Sequence, residues 1–235
     1  ERRIQRVNKV VEPLPGTKAD GQIIVEMMRK MGYEQPDYTA KGMLEEISQI
    51  VPFFAGVTWE NLTDNGLQWP VNKDGTDTKL LHTDVFKTKN GRANFTFKNW
   101  EESREVAKHG KDYPYIITTN RELEHYNCGA MTRRTGNVDI LTEDVLLICA
   151  EDATKHLIED GDMVCVESPR GKVDIKARIT DEMKPGILSS TFHFPEVMLN
   201  IITSDEHCTE AMCPEYKVVS CRIRKSKGKF KMAKA

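Results

Sequence analysis

Between Tyr115 and Ile223 the sequence is cut into short β-branched runs by closely spaced turns, and this punctuation limits the fold more than any other feature. Tyr115-Ile116-Ile117-Thr118-Thr119 reads as a buried strand, and Leu146 to Cys149 as a second. Met163 to Glu167 alternates, with Val164 and Val166 on one face, and Val173, Ile175, Ala177 and Ile179 repeat the period of two. Ile187 to Phe194 and Val218 to Ile223 are further strands. Asp160-Gly161-Asp162, Pro169-Arg170-Gly171 and Lys184-Pro185-Gly186 turn the chain between them, and Glu151 to His156 is the one short helix, acidic in its first turn. Short strands at this spacing close into a barrel or a sandwich.

The first part has a different grain. Ile4 to Val11 is extended and ends at Pro13-Leu14-Pro15-Gly16. Asp20 is placed to cap a helix whose Ile23, Ile24, Met27, Met28 and Met31 form a stripe expected in the core, with Gly32 at its C-terminal stop. Thr39 caps a second helix with Met43, Leu44, Ile47, Ile50 and Val51 on its apolar side, stopped by Pro52. Thr58 begins a short turn bearing Trp59 and Leu62. The polar stretch Asn72 to Lys79 reads as a linker, Asn90-Gly91 as a hairpin turn between Val85-Phe86 and 93–97, and Trp100 to His109 as loop or weak helix. The expected organisation is an α/β segment over 1–75, a linker with a hairpin over 76–111, a β-rich domain over 112–225 and a basic tail over 226–235.

Composition removes several function classes. With 34 basic against 36 acidic residues there is no basic excess to hold nucleic acid. No apolar run approaches the roughly 20 residues of a membrane span, so no membrane segment is expected. Six cysteines without a Cys-x-x-Cys pair argue for a reduced, cytoplasmic chain with mostly buried thiols, and against a zinc or iron–sulfur site. There is no Gly-x-Gly-x-x-Gly after a strand, no Walker loop, no Gly-x-Ser-x-Gly and no His-Glu-x-x-His. The chain opens at Glu1 without methionine and reads as a piece of a longer polypeptide.

What remains is a loop. Asn120-Arg121-Glu122-Leu123-Glu124-His125-Tyr126-Asn127 follows directly on a strand, where ligand-binding groups concentrate. It is either a solvated loop with an internal ion pair or a site for a phosphate-bearing or heteroaromatic ligand, since arginine forks onto phosphate. His193, between Phe192 and Phe194, is either a satisfied core histidine or a ligand group.

Thr118 to Arg134 (TTNRELEHYNCGAMTRR) resembles the opening of the dinucleotide-binding domain of molybdopterin-dependent formate dehydrogenases and periplasmic-type nitrate reductases. The resemblance continues through Glu151-Asp152-Ala153, Ile158 to Asp162, the Val164 to Gly171 pattern, Ala177 to Thr180 and Pro185-Gly186. Phe192-His193-Phe194-Pro195-Glu196, Asn200 and Pro214-Glu215-Tyr216-Lys217-Val218 complete it. Upstream, Glu1 to Val7, Val11-Glu12-Pro13, Met31-Gly32-Tyr33 and Trp69-Pro70 are similar to the segment before that domain in cytosolic formate dehydrogenases.

This resemblance implies a C-terminal double-psi β-barrel and a bis(molybdopterin guanine dinucleotide) carrying molybdenum or tungsten. It implies cofactor contacts at Thr119, Asn120, Arg121, Glu122, His125, Asn127, Phe192, His193, Asn200, Tyr216 and Lys217. It further implies formate–CO2 interconversion in the intact protein, the rest of the large subunit with its own iron–sulfur cluster, and iron–sulfur electron-transfer subunits. No residue here matches the family's metal ligand or catalytic positions, so this chain is expected to supply no metal ligand and no catalytic residue. A nitrate reductase-type fragment and a non-catalytic pterin-binding module are the alternatives.

Overall fold

A computed structural model of the chain describes residues 1–226, so the lysines of the basic tail from Lys227 onward lie outside the described residues. The chain divides into two compact units, Glu1–Phe97 and Lys98–Ala235.

In the first unit, strand β1 (Arg3–Ile4) pairs antiparallel with β2 (Leu67–Gln68), and helices α1 (Asp20–Lys30) and α2 (Ala40–Ile50) lie between them in sequence. Leu44, Val57, Leu62 and Val71 are the buried core, with Ile4, Phe54, Trp59, Leu67 and Trp69 packed against it. Thr39 caps α2 by accepting the Gly42 N–H at 3.0 Å. Gly32 (φ 84°) ends α1 as expected, its N–H donating to Arg29 O and the Tyr33 N–H to Met28 O, both at 3.0 Å.

Two expectations for α1 fail. Asp20 is the first helical residue, and the cap position is Ala19, without a side-chain bond. The stripe is not core: Ile23, Ile24, Met27 and Met31 are exposed, and Val25 is buried instead. The packed face is that of Gly21, Gln22, Val25 and Arg29. A Cβ on Gly21 would lie 2.3 Å from the Tyr38 ring, Gln22 Oε1 accepts the Tyr38 N–H, and Arg29 Nε donates to Gln35 O. The returning segment 33–38 therefore selects the helix face.

Residues 72–79 fold back on the unit through a Val71–Asp77 bridge and the Gln68 N–H donated to the Asp77 carboxylate. Around Asn90-Gly91 a turn forms, with Phe86 N–H donating to Gly91 O at 3.1 Å, but no strand ladder follows and the expected hairpin is absent among the described residues.

The second unit opens with α3 (Arg104–His109) and closes a six-stranded barrel from β3 (Tyr115–Thr119), β4 (Val145–Ile148), β5 (Met163–Glu167), β6 (Lys172–Ile179), β7 (Ile187–Ser190) and β8 (Val219–Lys225), with α4 (Asn137–Ile140) and α5 (Ala150–Lys155) in the connections. The order around the barrel is β3-β7-β4-β6-β5-β8, returning to β3. β3/β7 and β4/β6 are parallel, and the remaining neighbours are antiparallel, as the double-psi expectation requires. Alternate residues fill the interior: Ile117, Leu146, Ile148, Val164, Val166, Ile175, Leu188 and Val219 are essentially inaccessible.

The expected strand 187–194 stops at Ser190. Asp144, 2% exposed, takes the N–H of His193 at 3.1 Å, the N–H of Phe194 at 2.9 Å and the hydroxyl of Thr191, drawing that backbone out of the ladder. A second buried carboxylate holds α3. Glu105 is inaccessible, receives a bidentate pair from Arg170 at 2.9 and 2.7 Å, and accepts the Ser220 N–H of β8 at 3.0 Å and the Ser204 hydroxyl at 3.1 Å.

Candidate functional site at one barrel mouth

Because β3 and β7 are parallel and in register, with Thr119 opposite Ser190, both leave the barrel at the same end. The Asn120 N–H still donates to Ser190 O at 2.9 Å, and beyond that rung the two chains diverge. Loop 120–137 and segment 191–203 thus rise side by side from one mouth. The carboxyl ends of parallel strands are a common location for a ligand site.

His193 ties the two together. Its Nε2 accepts the Glu122 N–H at 3.0 Å and its Nδ1 donates to Asn127 O at 2.5 Å, so one inaccessible imidazole pins the loop at residues 122 and 127. These partners assign the neutral tautomer with the proton on Nδ1. His125 is likewise buried. Its Nε2 donates to Leu141 O at 2.9 Å and its Nδ1 accepts the Thr132 hydroxyl, which in turn accepts the Tyr126 N–H. Asn127 (φ 50°) and Gly129 (φ 69°) turn the backbone there, and a Cβ on Gly129 would lie 2.7 Å from His193 O. Both ring nitrogens of both histidines are therefore engaged by protein groups, leaving neither ring an atom free for a ligand.

A His193→Phe change keeps the ring but strands the Glu122 N–H and the Asn127 carbonyl, at no more than about 1 kcal/mol each, because Glu122 is half-buried and Asn127 exposed. Amide hydrogen exchange should speed up across 122–127 while the barrel strands keep their protection. Unchanged exchange in the loop would remove the bridge from the account.

Six of the sequence-selected residues line one cavity of about 340 Å³: Thr119, Arg121, Phe192, Asn200, Tyr216 and Lys217, joined by Thr203. A neighbouring cavity of about 570 Å³ shares Phe192 and Asn200 and adds Asn127, Cys128 and Met198. Asn120, Glu122, His125 and His193 line neither. The Arg121 guanidinium sits 4.2 Å from the Phe192 ring centroid, and Lys217 Nζ donates to the Thr119 carbonyl. Burial, and then the Arg121 charge, push the Lys217 ammonium below its ordinary value. Among the described residues neither cation has a carboxylate within ion-pair distance. Asn120 Oδ1 is buried without a hydrogen-bond partner. Two mutually opposed cations and a stranded carbonyl-type acceptor suit a ligand that brings negative charge and an N–H donor.

Sequence reasoning missed Asp144, Thr132, Gly129 and Thr203. Only the glycine carries a local signal, since the partners of Asp144 are some fifty residues away. The cysteines depart from expectation: Cys149, Cys165 and Cys221 are buried, but Cys128, Cys208 and Cys213 are exposed.

Residues 115–220 match the family profile of the molydopterin dinucleotide binding domain. The chain is 37% identical over 232 residues to F420-dependent formate dehydrogenase subunit alpha of Methanocaldococcus jannaschii, covering 96% of this chain and 34% of the relative. It is 31% identical over 230 residues to formate dehydrogenase H of Escherichia coli, covering 95% of this chain and 32% of that protein. The chain thus spans about a third of the length of these relatives. Among solved structures, acetylene hydratase from Pelobacter acetylenicus shares the fold, with a TM-score of 0.58 at 18% identity, covering 93% of this chain and 34% of that one.

Proposed function

We propose that residues 115–220, which match the family profile of the molydopterin dinucleotide binding domain, are such a domain, and that the chain is the C-terminal part of a formate dehydrogenase catalytic subunit, enclosing part of a bis(molybdopterin guanine dinucleotide) bearing molybdenum or tungsten. The observation that carries this reading is the unpaired Arg121–Lys217 pair at the mouth formed by two parallel strands. Lys217 and Arg121 take the pyrophosphate charge, Phe192 offers a flat face to a ring, and Asn200 and Tyr216 supply hydrogen bonds at the cavity wall. Asn120 Oδ1 gains the donor it lacks from a pterin or guanine N–H. His125 and His193, together with Glu122 through its N–H, act by shaping the loop. The bound group supplies two-electron redox chemistry, and this chain holds and orients it.

In this reading the iron–sulfur cluster and the metal-ligating residue belong to the remainder of the subunit. Iron–sulfur electron-transfer subunits and a cytoplasmic location go with it. Among the described residues no helix is long and apolar enough to cross a membrane.

The full-length subunit, purified without oxygen, should reduce an artificial dye with formate and contain molybdenum or tungsten with pterin. Dye oxidation with nitrate and none with formate would replace the substrate. Absence of metal and pterin under conditions that load a known molybdopterin enzyme would leave a non-catalytic module.

A further inference from the structure

Residues 206–215 form a hairpin whose tip carries two of the three exposed cysteines. Glu215 N–H donates to Glu206 O at 2.9 Å, His207 and Pro214 form an antiparallel bridge, and Cys208 N–H donates to Cys213 O at 2.9 Å. Met212, with φ 53°, closes the tip by donating its N–H to Cys208 O at 2.8 Å. Cys208 and Cys213 therefore face each other across the last rung. Only one of the two N–H···O bonds of a ladder pair joins them, because the Cys208 carbonyl accepts from Met212; residues opposed across an antiparallel rung have Cα atoms about 4.5–5.5 Å apart and side chains on one face, within the roughly 4.4–6.8 Å that a disulfide spans. Both thiols line one cavity of about 630 Å³, together with the carboxylates of Glu101, Glu102, Glu206, Glu210 and Glu215 and the cations of Lys98 and Arg104. Tyr216 and Lys217, which line the ligand cavity, follow the hairpin directly.

We propose that Cys208 and Cys213 are a reversible dithiol–disulfide pair that clamps the hairpin leading to Tyr216 and Lys217, oxidised by a neutral or cationic low-molecular-weight disulfide. The five carboxylates outnumber Lys98 and Arg104, and this net negative charge disfavours an anionic oxidant. Cys208 is the attacking group. Its sulfur accepts the Ala211 N–H at 3.5 Å, and this bond, with that of Glu210, holds the thiol below its ordinary range. The Cys208 thiolate attacks one sulfur of the oxidant and expels one thiolate, leaving a mixed disulfide. Cys213 loses its proton and attacks the Cys208 sulfur, forming the intramolecular bond and expelling the second thiolate. Two cysteine thiols lose two electrons and two protons, and one small disulfide becomes two small thiols.

The test uses the full-length subunit, titrated with bis(2-hydroxyethyl) disulfide, acid-quenched, alkylated and digested with trypsin. No Lys or Arg separates the two cysteines, so they fall on one peptide. The expected product is that peptide with neither thiol alkylated, lighter by two hydrogens, and restored by reduction. Cys213→Ser should stop at an adduct on Cys208, and oxidation should lower hydrogen exchange across 206–217. The proposal is overturned if both thiols remain alkylatable once Cys128 is modified, if each carries a separate adduct, or if exchange of the hairpin does not change. None of these readouts depends on bound cofactor or on turnover.

Discussion

Lys217→Glu in the full-length subunit is expected to strip the purified protein of most of its pterin and metal, while the same change at Lys227 in the tail leaves them in place. Lys217 has no carboxylate partner among the described residues, and burial and the Arg121 charge already disfavour its ammonium. An anion between the two relieves that repulsion. Losing one charge-assisted hydrogen bond costs about 1.5–3 kcal/mol, or roughly 10- to 100-fold in retention, and reversing the charge costs more. Arg121→Ala should act in the same direction, because it also removes the group stacked on Phe192. Metal analysis and pterin fluorescence of the purified variants measure the effect. Equal occupancy for Lys217→Glu and Lys227→Glu would make Lys217 an ordinary surface charge and remove the site.

Glu105→Ala is expected to produce the largest loss of stability, about 3–5 kcal/mol, since it leaves Arg170 without its buried partner and the Ser220 amide without an acceptor. That is a large share of a typical domain's stability. Exchange protection should fall in peptides covering α3 and β8. The paired change Glu105→Leu with Arg170→Met should recover much of it, because it leaves no buried charge behind. Burial pushes the Glu105 carboxyl up, but Arg170, the Ser220 amide and the Ser204 hydroxyl outweigh it, so it titrates below its usual value of 4.5. A depressed folded-state value means the contribution is complete above the ordinary carboxylate value and is lost as pH falls below it toward the folded one. Wild-type and Glu105→Ala exchange should therefore converge on acidification below about pH 4. A gap that stayed constant there would assign the stability to packing rather than charge.

The barrel strands were legible because β-branched alternation and glycine or proline turns act within a few residues. Val164 and Val166, or Val173, Ile175 and Ala177, point inward whatever their neighbours. What was not legible depended on distant partners. Nothing near Thr191 announces that Asp144 will draw the strand out of the ladder, and nothing in α1 announces that segment 33–38 will pack on the face of Gly21, Gln22 and Arg29. Glu105, in a stretch read as loop or weak helix, became a buried anchor through Arg170. At the site, the resemblance selected six residues that share a cavity, but residue types alone could not separate groups that face it from His125 and His193, whose nitrogens are spent on the loop itself.

The closing seam of the barrel also has a kinetic consequence. β8 completes the ring by pairing Tyr115 with Cys221, and Lys217 stands just before that strand. The β3/β7 pairing sets two of the stretches that build the cavity side by side, and the third, carrying Tyr216 and Lys217, joins them only through this long-range β8 pairing, whose loop-closure entropy makes it slow relative to local helices and turns. The anion-holding pair is therefore assembled late, and a nascent barrel lacking β8 has no complete binding surface. Loading must follow ring closure, and a ligand bound only to the closed ring shifts the folding equilibrium toward it by mass action.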